Sequence, residues 1–252
     1  MTIGEGKEPA ALILAAGRGT RMKSDMAKVL HLLAGRPLLA YVVDAARGIG
    51  AGRIVAVVGH QAEEVREAFR DDGLVFVEQR PQLGTGHAVQ VARKAFADFV
   101  GPVLILCGDV PLLKVETLRQ FLAFHRDREA VLTLFTARLD NPHGYGRVVM
   151  DENNALLRIV EERDATAEEK KIREINTGIY CVESPFLFEA VSGIGRDNAQ
   201  GEYYLTDIIA VGRERGIRMV SYLARDPAEV MGINTPDDLA GAEKVLLARA
   251  TG

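Results

Sequence analysis

Short apolar runs alternate with amphipathic segments over the first 140 or so residues, and few folds accommodate that rhythm. Residues 10–16, 53–58, 74–78, 103–107 and 130–136 are strand-length stretches rich in Val, Ile and Leu. The stretches between them have helical spacing. Across 61–70, Val65 and Phe69 repeat at i, i+4 behind an acidic first turn of Glu63 and Glu64. A strand that is apolar on both sides must be covered on both faces, and strands joined through helices run parallel. The pattern predicts an α/β fold built on a doubly wound, mostly parallel sheet. With 252 residues, 48% of them hydrophobic, the chain can fill a core of that size.

The rhythm changes after Asn141. Residues 147–150, 151–154 and 156–161 read as strand, polar turn and strand, which is a hairpin. A charged stretch over 161–174 precedes a further strand at 175–182, helices at 185–191 and 203–215, a strand at 219–223 and a helix at 236–249. No Pro/Gly/Ser-rich linker separates these elements from the first part. A single domain over 1–252 is therefore expected, with a first part at roughly 8–140 and a small β-rich lobe and later elements at roughly 141–252. Internal repeats and low-complexity segments are lacking.

A formal net charge of −4 offers no global field for nucleic acid or an anionic membrane, so an anion site must be built locally. Cys107 and Cys181 both lie in apolar strand-like runs and read as reduced core residues. The amino-terminal residues MTIGEGKEPA carry no signal pattern. No apolar run approaches the ~18 residues of a membrane helix. A cytoplasmic protein with small-molecule substrates is expected, with neither nucleic acid nor membrane as partner. The oligomeric state is left open.

The most informative segment follows the first strand: Leu14-Ala15-Ala16-Gly17-Arg18-Gly19-Thr20-Arg21-Met22, leading to Lys28. Two glycines at a strand-to-loop junction let bare N–H groups approach a ligand. Between Gly17 and Lys28 stand four cations (Arg18, Arg21, Lys23, Lys28) and one anion (Asp25), so four minus one leaves a local charge of +3 on an acidic chain. That suits a polyphosphate. A P-loop would need Gly-Lys-Ser/Thr where Gly19-Thr20-Arg21 stands, and a dinucleotide fingerprint a third glycine where Met22 stands. The competing reading is a tight turn with a solvated basic rim.

Leu-Ala-Ala-Gly-x-Gly-Thr-Arg-Met with a downstream lysine resembles the signature of the sugar nucleotidyltransferases. Among them the chain is most similar to the uridyltransferase half of the bifunctional N-acetylglucosamine-1-phosphate uridyltransferase/glucosamine-1-phosphate acetyltransferases. The similarity is carried, in the family's order, by Lys28-Val29-Leu30-His31, by Gln79 with Gln82-Leu83-Gly84-Thr85-Gly86-His87-Ala88, and by Gly108-Asp109-Val110-Pro111-Leu112. It continues through Asn141-Pro142, Gly144-Tyr145-Gly146-Arg147, Ile159-Val160-Glu161, Glu174-Ile175-Asn176-Thr177-Gly178 and Gly201-Glu202-Tyr203-Tyr204-Leu205-Thr206-Asp207.

The resemblance implies a Rossmann-like nucleotidyltransferase fold with a sugar-binding lobe, and Mg²⁺-dependent transfer of UMP from UTP to N-acetylglucosamine-1-phosphate. Arg21 and Lys28, with Arg18 assisting, would offset phosphate charge. The backbone of Leu14, Ala15, Ala16 and Gly17, with Gln79, Gly84 and Thr85, would hold the nucleotide. Asp109, beside Gly108, and Asn234 would hold the metal, and Gly146, Glu161 and Asn176 the sugar. Residue by residue, plainer roles compete. Asp109 would cap a helix starting near Pro111, Asn234 would cap the final helix, Gln79 would be a polar strand end, and Glu161 would lie on a solvated face. The histidines at 31, 60, 87, 125 and 143 lack metal spacing and read as structural or solvent-facing.

Three departures stand out. Ala27 occupies the place of a usual proline before the signature lysine, which bears on loop rigidity. Cys107 replaces an aromatic at the sugar pocket's wall. The chain stops at Gly252 without the left-handed β-helix that carries acetyl transfer and builds the trimer in the bifunctional proteins, so one activity is expected. Two alternatives remain: a related enzyme using CTP, dTTP or another sugar-1-phosphate, or a non-catalytic sugar-nucleotide binder. Ala15-Ala16-Gly17 in place of Gly-Gly weighs against the dTTP and glucose branches, and the retained cations and metal ligands weigh against the binder.

Overall fold

A computed structural model describes residues 7–251; Met1–Gly6 of the amino-terminal stretch read above, and Gly252, lie outside the described residues. Strand β1 (Ala10–Ala15) leads through the glycine loop to a two-residue pair, β2 (Leu32–Leu33) and β3 (Arg36–Pro37), and to helix α1 (Leu38–Gly48). The alternation continues as β4 (Arg53–Val58), α2 (Ala62–Ala68), β5 (Val75–Glu78), α3 (Thr85–Ala92), β6 (Pro102–Cys107), α4 (Val115–Asp127) and β7 (Leu132–Arg138). Then come β8 (Arg147–Met150), β9 (Leu156–Val160), β10 (Glu174–Glu183), α5 (Ser184–Gly193), α6 (Ile208–Glu214), β11 (Met219–Leu223) and α7 (Pro236–Thr251).

The main sheet has the order β11-β7-β10-β6-β1-β4-β5. β1 runs parallel to both β4 and β6, β4 parallel to β5, and β7 parallel to β11. β10 alone on this path is antiparallel, wedged between β6 and β7. The near-continuous apolar runs are explained by the two cores. Ala11 and Ile13 of β1 enter one with Val42 of α1, Val65 of α2 and Phe121 of α4. Ala10 and Leu12 enter the other with Val89 of α3, Leu187 of α5 and Ile208 of α6. Successive side chains of a strand point to opposite faces, so a strand covered on both has no polar position to spare. Among the described residues, no helix is long and apolar enough to cross a membrane.

Two helix boundaries differ from expectation. No helix starts at Pro111; α4 begins at Val115 after a turn. The segment predicted as a helix from 203 becomes helical only at Leu205, as a short 3₁₀ turn leading into α6. Tertiary hydrogen bonds hold Tyr203 outside it. Its N–H donates to the Leu83 carbonyl and its own carbonyl accepts from the Gly86 N–H, both at 2.8 Å. These two bonds clamp the start of α3 against the later segment.

The β8–β9 hairpin joins the sheet through β10, with Ile175 opposite Arg147. Arg147 is fully buried there, and it fixes the hairpin to the segment after β9. Its guanidinium donates to the Tyr145 carbonyl, to Glu162 Oε2 at 2.8 Å and to the Lys170 carbonyl at 3.5 Å. A buried cation stripped of its carboxylate is far worse than an exposed one. Glu162→Ala should lower unfolding free energy by about 3 kcal/mol. Lys171→Ala, which breaks an exposed pair with Glu168, should change it by under about 1 kcal/mol. Equal urea midpoints for the two variants would contradict this account.

Candidate active site

The chain moves from β1 outward to β4 and β5, then returns to place β6 on the other side of β1. In open α/β sheets such a reversal leaves a crevice at the carboxyl ends of the strands. The glycine loop leaves β1 at that edge and Gly108-Asp109 leaves β6 beside it. The two are tied by the Gly108 N–H donating to the Leu14 carbonyl at 2.9 Å. A cavity of about 330 Å³ opens there. Leu14, Ala15, Ala16, Gly17, Lys28, Gln79, Gly84, Thr85 and Asp109 of the sequence-derived set all line it. A Cβ on Gly17 would meet nothing within 4 Å, whereas Gly19, at φ 63°, would drive one to 2.7 Å from Lys28 Cβ. Gly19 is what lets the loop fold back so that Lys28 faces the cavity.

Four of the expected residues converge. Lys28 Nζ contacts Asp109 Oδ2 and donates to Asn234 Oδ1 at 2.7 Å, and Arg21 Nη2 donates to the same Oδ1 at 2.8 Å. Neither capping alternative survives. α4 starts too late for Asp109 to cap it. The amino end of α7 is capped by Thr235 and Asp238: the Asp238 N–H donates to Thr235 Oγ1 at 3.1 Å, and Asp238 Oδ2 accepts from the Thr235 N–H at 2.8 Å. That reciprocal pair is a capping box, and it leaves the Asn234 side chain for Lys28 and Arg21.

Gln79 is not a plain polar strand end. It is 4% exposed, and its Nε2 lies 2.8 Å from the Gly84 carbonyl and 3.2 Å from His87 Nδ1. Among the described residues its Oε1 has no partner. His87 is therefore part of the site's support, unlike His125, which is buried against Thr133 Oγ1 at 2.7 Å. Gln82, absent from the expected site, lines the cavity as well. Its Nε2 donates to the Ala16 carbonyl at 2.6 Å and its Oε1 accepts from Arg18 Nε at 3.3 Å. Gln82 stands in the same motif as Gly84, and that motif was the available signal. Arg18 is exposed and faces an adjoining hollow with His60 and Arg80, and does not line the main cavity.

Two departures acquire physical meaning. Ala27 holds φ at −53°, an angle proline also adopts, and its N–H donates to Gln61 Oε1, a bond no proline makes. Cys107 is not a core residue, unlike Cys181. It is half-buried and lines the cavity. Burial, then the Asp109 carboxylate, push its thiol up to about 12 against the pull of Lys28. It stays a thiol and a poor nucleophile.

The three expected sugar residues form their own cluster, and none of them lines the main cavity. The Asn176 N–H donates to the Gly146 carbonyl at 2.9 Å, and a Cβ on Gly146 would stand 3.4 Å from the Glu161 oxygens. Glu161 is half-buried rather than on a solvated face. Burial first, then Asp164, Asp207 and Glu202, raise its pKa, against the Thr206 hydroxyl at 3.5 Å. Asn176 Oδ1 accepts from the Gly178 N–H at 2.9 Å across the irregular stretch of β10. Gly178, at φ 78°, would put a Cβ 2.8 Å from Cys107 Sγ, so Cys107 joins this cluster to the cavity.

Residues 11–173 match the MobA-like NTP transferase domain. The chain belongs to this family. It is 56% identical over 236 residues to the bifunctional protein GlmU of Geobacter sulfurreducens, covering 93% of this chain and 50% of that protein. It is 53% identical to that of Pelobacter propionicus, covering 95% and 52%. For that of Desulfotalea psychrophila the identity is 46%, covering 95% of this chain and 71% of the relative. The chain thus spans about half the length of the first two curated relatives. In fold it resembles a crystal structure of UDP-glucose pyrophosphorylase complexed with UDP-glucose. The TM-score is 0.75, with 96% of this chain and 99% of that one covered, at 17% identity.

The capping assignment is separable from the site. Thr235→Ala should lower unfolding free energy by about 1 kcal/mol through loss of the cap. Asn234→Ala removes the hydrogen bonds to Lys28 and Arg21 but no cap. Amide exchange at the start of α7 should therefore quicken in Thr235→Ala and stay unchanged in Asn234→Ala, and the reverse result would return the cap to Asn234.

Proposed function

We propose that the chain transfers UMP from UTP to N-acetylglucosamine-1-phosphate, giving UDP-N-acetylglucosamine and pyrophosphate. The observation that carries this reading is the convergence of Lys28, Arg21, Asp109 and Asn234 beside a glycine-loop cavity. Its motifs resemble those of the uridyltransferases throughout. The nucleotide would occupy the part at roughly 8–140, and Gly146, Glu161 and Asn176 of the lobe at roughly 141–252 would hold the sugar. The substrates are small molecules and the setting cytoplasmic.

In this chemistry an oxygen of the sugar phosphate attacks the α-phosphorus of UTP. The new P–O bond forms as the bond from the α-phosphorus to the bridging oxygen breaks, and pyrophosphate leaves with that electron pair. The attacking phosphate is already anionic at neutral pH, since its second pKa is about 6, so no general base is needed. The protein's task is positioning and charge. Lys28 and Arg21 offset charge on the α-phosphate and the leaving group, and the Leu14–Gly17 backbone supplies close N–H groups.

The donor set fits Mg²⁺. A carboxylate oxygen of Asp109 and an amide oxygen of Asn234 already close on one cation, the Lys28 ammonium. Two hard oxygen ligands, completed by phosphates and water, are what Mg²⁺ prefers. Held by Asp109 and Asn234, Mg²⁺ would supply charge neutralisation and a template for the phosphates.

Base selection rests on Gln79. With its nitrogen engaged by Gly84, its oxygen is left to accept from N3–H of uracil. Cytosine offers an acceptor at N3 and would face that oxygen lone pair to lone pair. A panel of nucleoside triphosphates against sugar-1-phosphates, read by pyrophosphate release, tests the assignment. UTP should exceed CTP in kcat/KM by at least about 10²-fold, and Gln79→Ala should narrow that gap. Equal use of CTP would move the assignment to a cytidylyl enzyme. Asp109→Ala should abolish turnover with the unfolding midpoint retained, and an active variant at ordinary Mg²⁺ would remove the ligand role.

A further inference from the structure

The Gln79 amide is a two-sided group. Turned one way it offers an acceptor to the cavity and turned the other way a donor, and the two orientations fill the same volume. Which one the base meets depends on the groups behind it. Gly84 supplies one of them, a carbonyl 2.8 Å from Nε2. An amide nitrogen carries two hydrogens, however, and a single carbonyl leaves the second to be placed. The second group is His87 Nδ1, 3.2 Å from the same nitrogen.

We propose that His87 is a positioning residue: by accepting the second amide hydrogen of Gln79 at Nδ1, it acts with the Gly84 carbonyl to keep the Gln79 oxygen facing the base and so sharpens the preference for uracil over cytosine. The inference rests on the uridylyl-transfer reading above and deepens it.

The ring is built to serve as an acceptor. His87 sits in the first turn of α3, whose start is held by the Gly86 N–H donating to the Tyr203 carbonyl at 2.8 Å. A Cβ on Gly86 would come within 3.0 Å of that carbonyl and 2.4 Å of Ile194 Cδ1, so the turn cannot approach this closely with any other residue. The Tyr203 ring lies near the imidazole, centroids 6.1 Å apart, and the Arg196 guanidinium covers the Tyr203 ring at 5.5 Å. Burial first, then the Arg196 cation, lower the His87 pKa, against the Pro81 carbonyl, which pulls it up. The ring is thus held neutral, and a neutral imidazole with its hydrogen on Nε2 leaves Nδ1 free to accept. A protonated ring would point N–H at NH₂ and favour the opposite amide orientation.

A merely structural histidine makes a different prediction. Losing packing under Gln79 would weaken UTP and CTP alike, whereas losing the acceptor weakens UTP selectively. The experiment measures kcat and KM with UTP and with CTP for the full chain and for His87→Ala, His87→Asn and Gln79→Ala. His87→Ala should narrow the UTP/CTP ratio of kcat/KM on the order of fivefold to tenfold, the size of one hydrogen bond, with the UTP loss larger in KM than in kcat. Asparagine carries an acceptor oxygen, so His87→Asn should recover most of the ratio. Independently of any variant's folding, ¹⁵N resonances of the wild-type imidazole should show the Nε2–H tautomer at neutral pH.

An Nδ1–H tautomer, an unchanged ratio in His87→Ala, a proportional loss with both nucleotides, or no recovery in His87→Asn would each overturn the proposal. The Gln79→Ala arm separates the two levels. If Gln79→Ala leaves the ratio intact, the base-reading assignment falls, and this inference falls with it. If Gln79→Ala narrows the ratio and His87→Ala does not, only the role of His87 falls.

Discussion

The parallel pairing of β1 with β6 is the constraint on which the rest of this molecule depends. Parallel neighbours end at the same edge, so the loops that leave them are brought side by side however far apart they lie in sequence. Leu14 pairs with Cys107, and one residue later the Gly108 N–H reaches back to the Leu14 carbonyl. A glycine-rich cationic loop and a carboxylate loop thus share one crevice. Every other element of the site is arranged around that junction: the Gln79 and Gln82 loop from the β5 side, and the β10 irregularity from the β6 side.

Charge in the first loop is arranged against the acidic balance of the chain. The loop's cations are not simply exposed to solvent. Lys28 is drawn against Asp109 and Asn234, and Arg21 shares the Asn234 oxygen. An ammonium between two oxygens is a compact cation site, and the same oxygens suit a hard metal. The two cations and the oxygens of Asp109 and Asn234 form one network.

The hairpin and β10 are set beside this network by specific contacts. Arg147, buried with Glu162, ties the hairpin down, and Gly178 lets β10 press against Cys107 at the cavity wall. The antiparallel insertion of β10 beside β6 makes the second contact possible. Nothing in the apolar run from Ile179 to Val182 declares a direction, because a strand buried on both faces looks the same run either way.

The chain's own residues determined its element types, the doubly wound class and the glycine-punctuated, cationic character of the first loop. These follow from periodicity, glycine placement and local charge, all of them short-range properties. They also placed β4 and β11 to the residue, because apolar runs bounded by polar turns leave strand ends little choice. Tertiary structure alone decided which polar group meets which. Asn234 could have been a cap until Thr235 and Asp238 were seen to fill that place, and Tyr203 could have been helical until Leu83 and Gly86 took its hydrogen bonds. The amides of Gln79 and Gln82, and the ring of His87, acquire their roles only from partners up to 66 residues away. A side chain's hydrogen-bonding capacity is written in its identity. Its partner is chosen by the sheet that carries both, and sequence spacing holds no record of that choice.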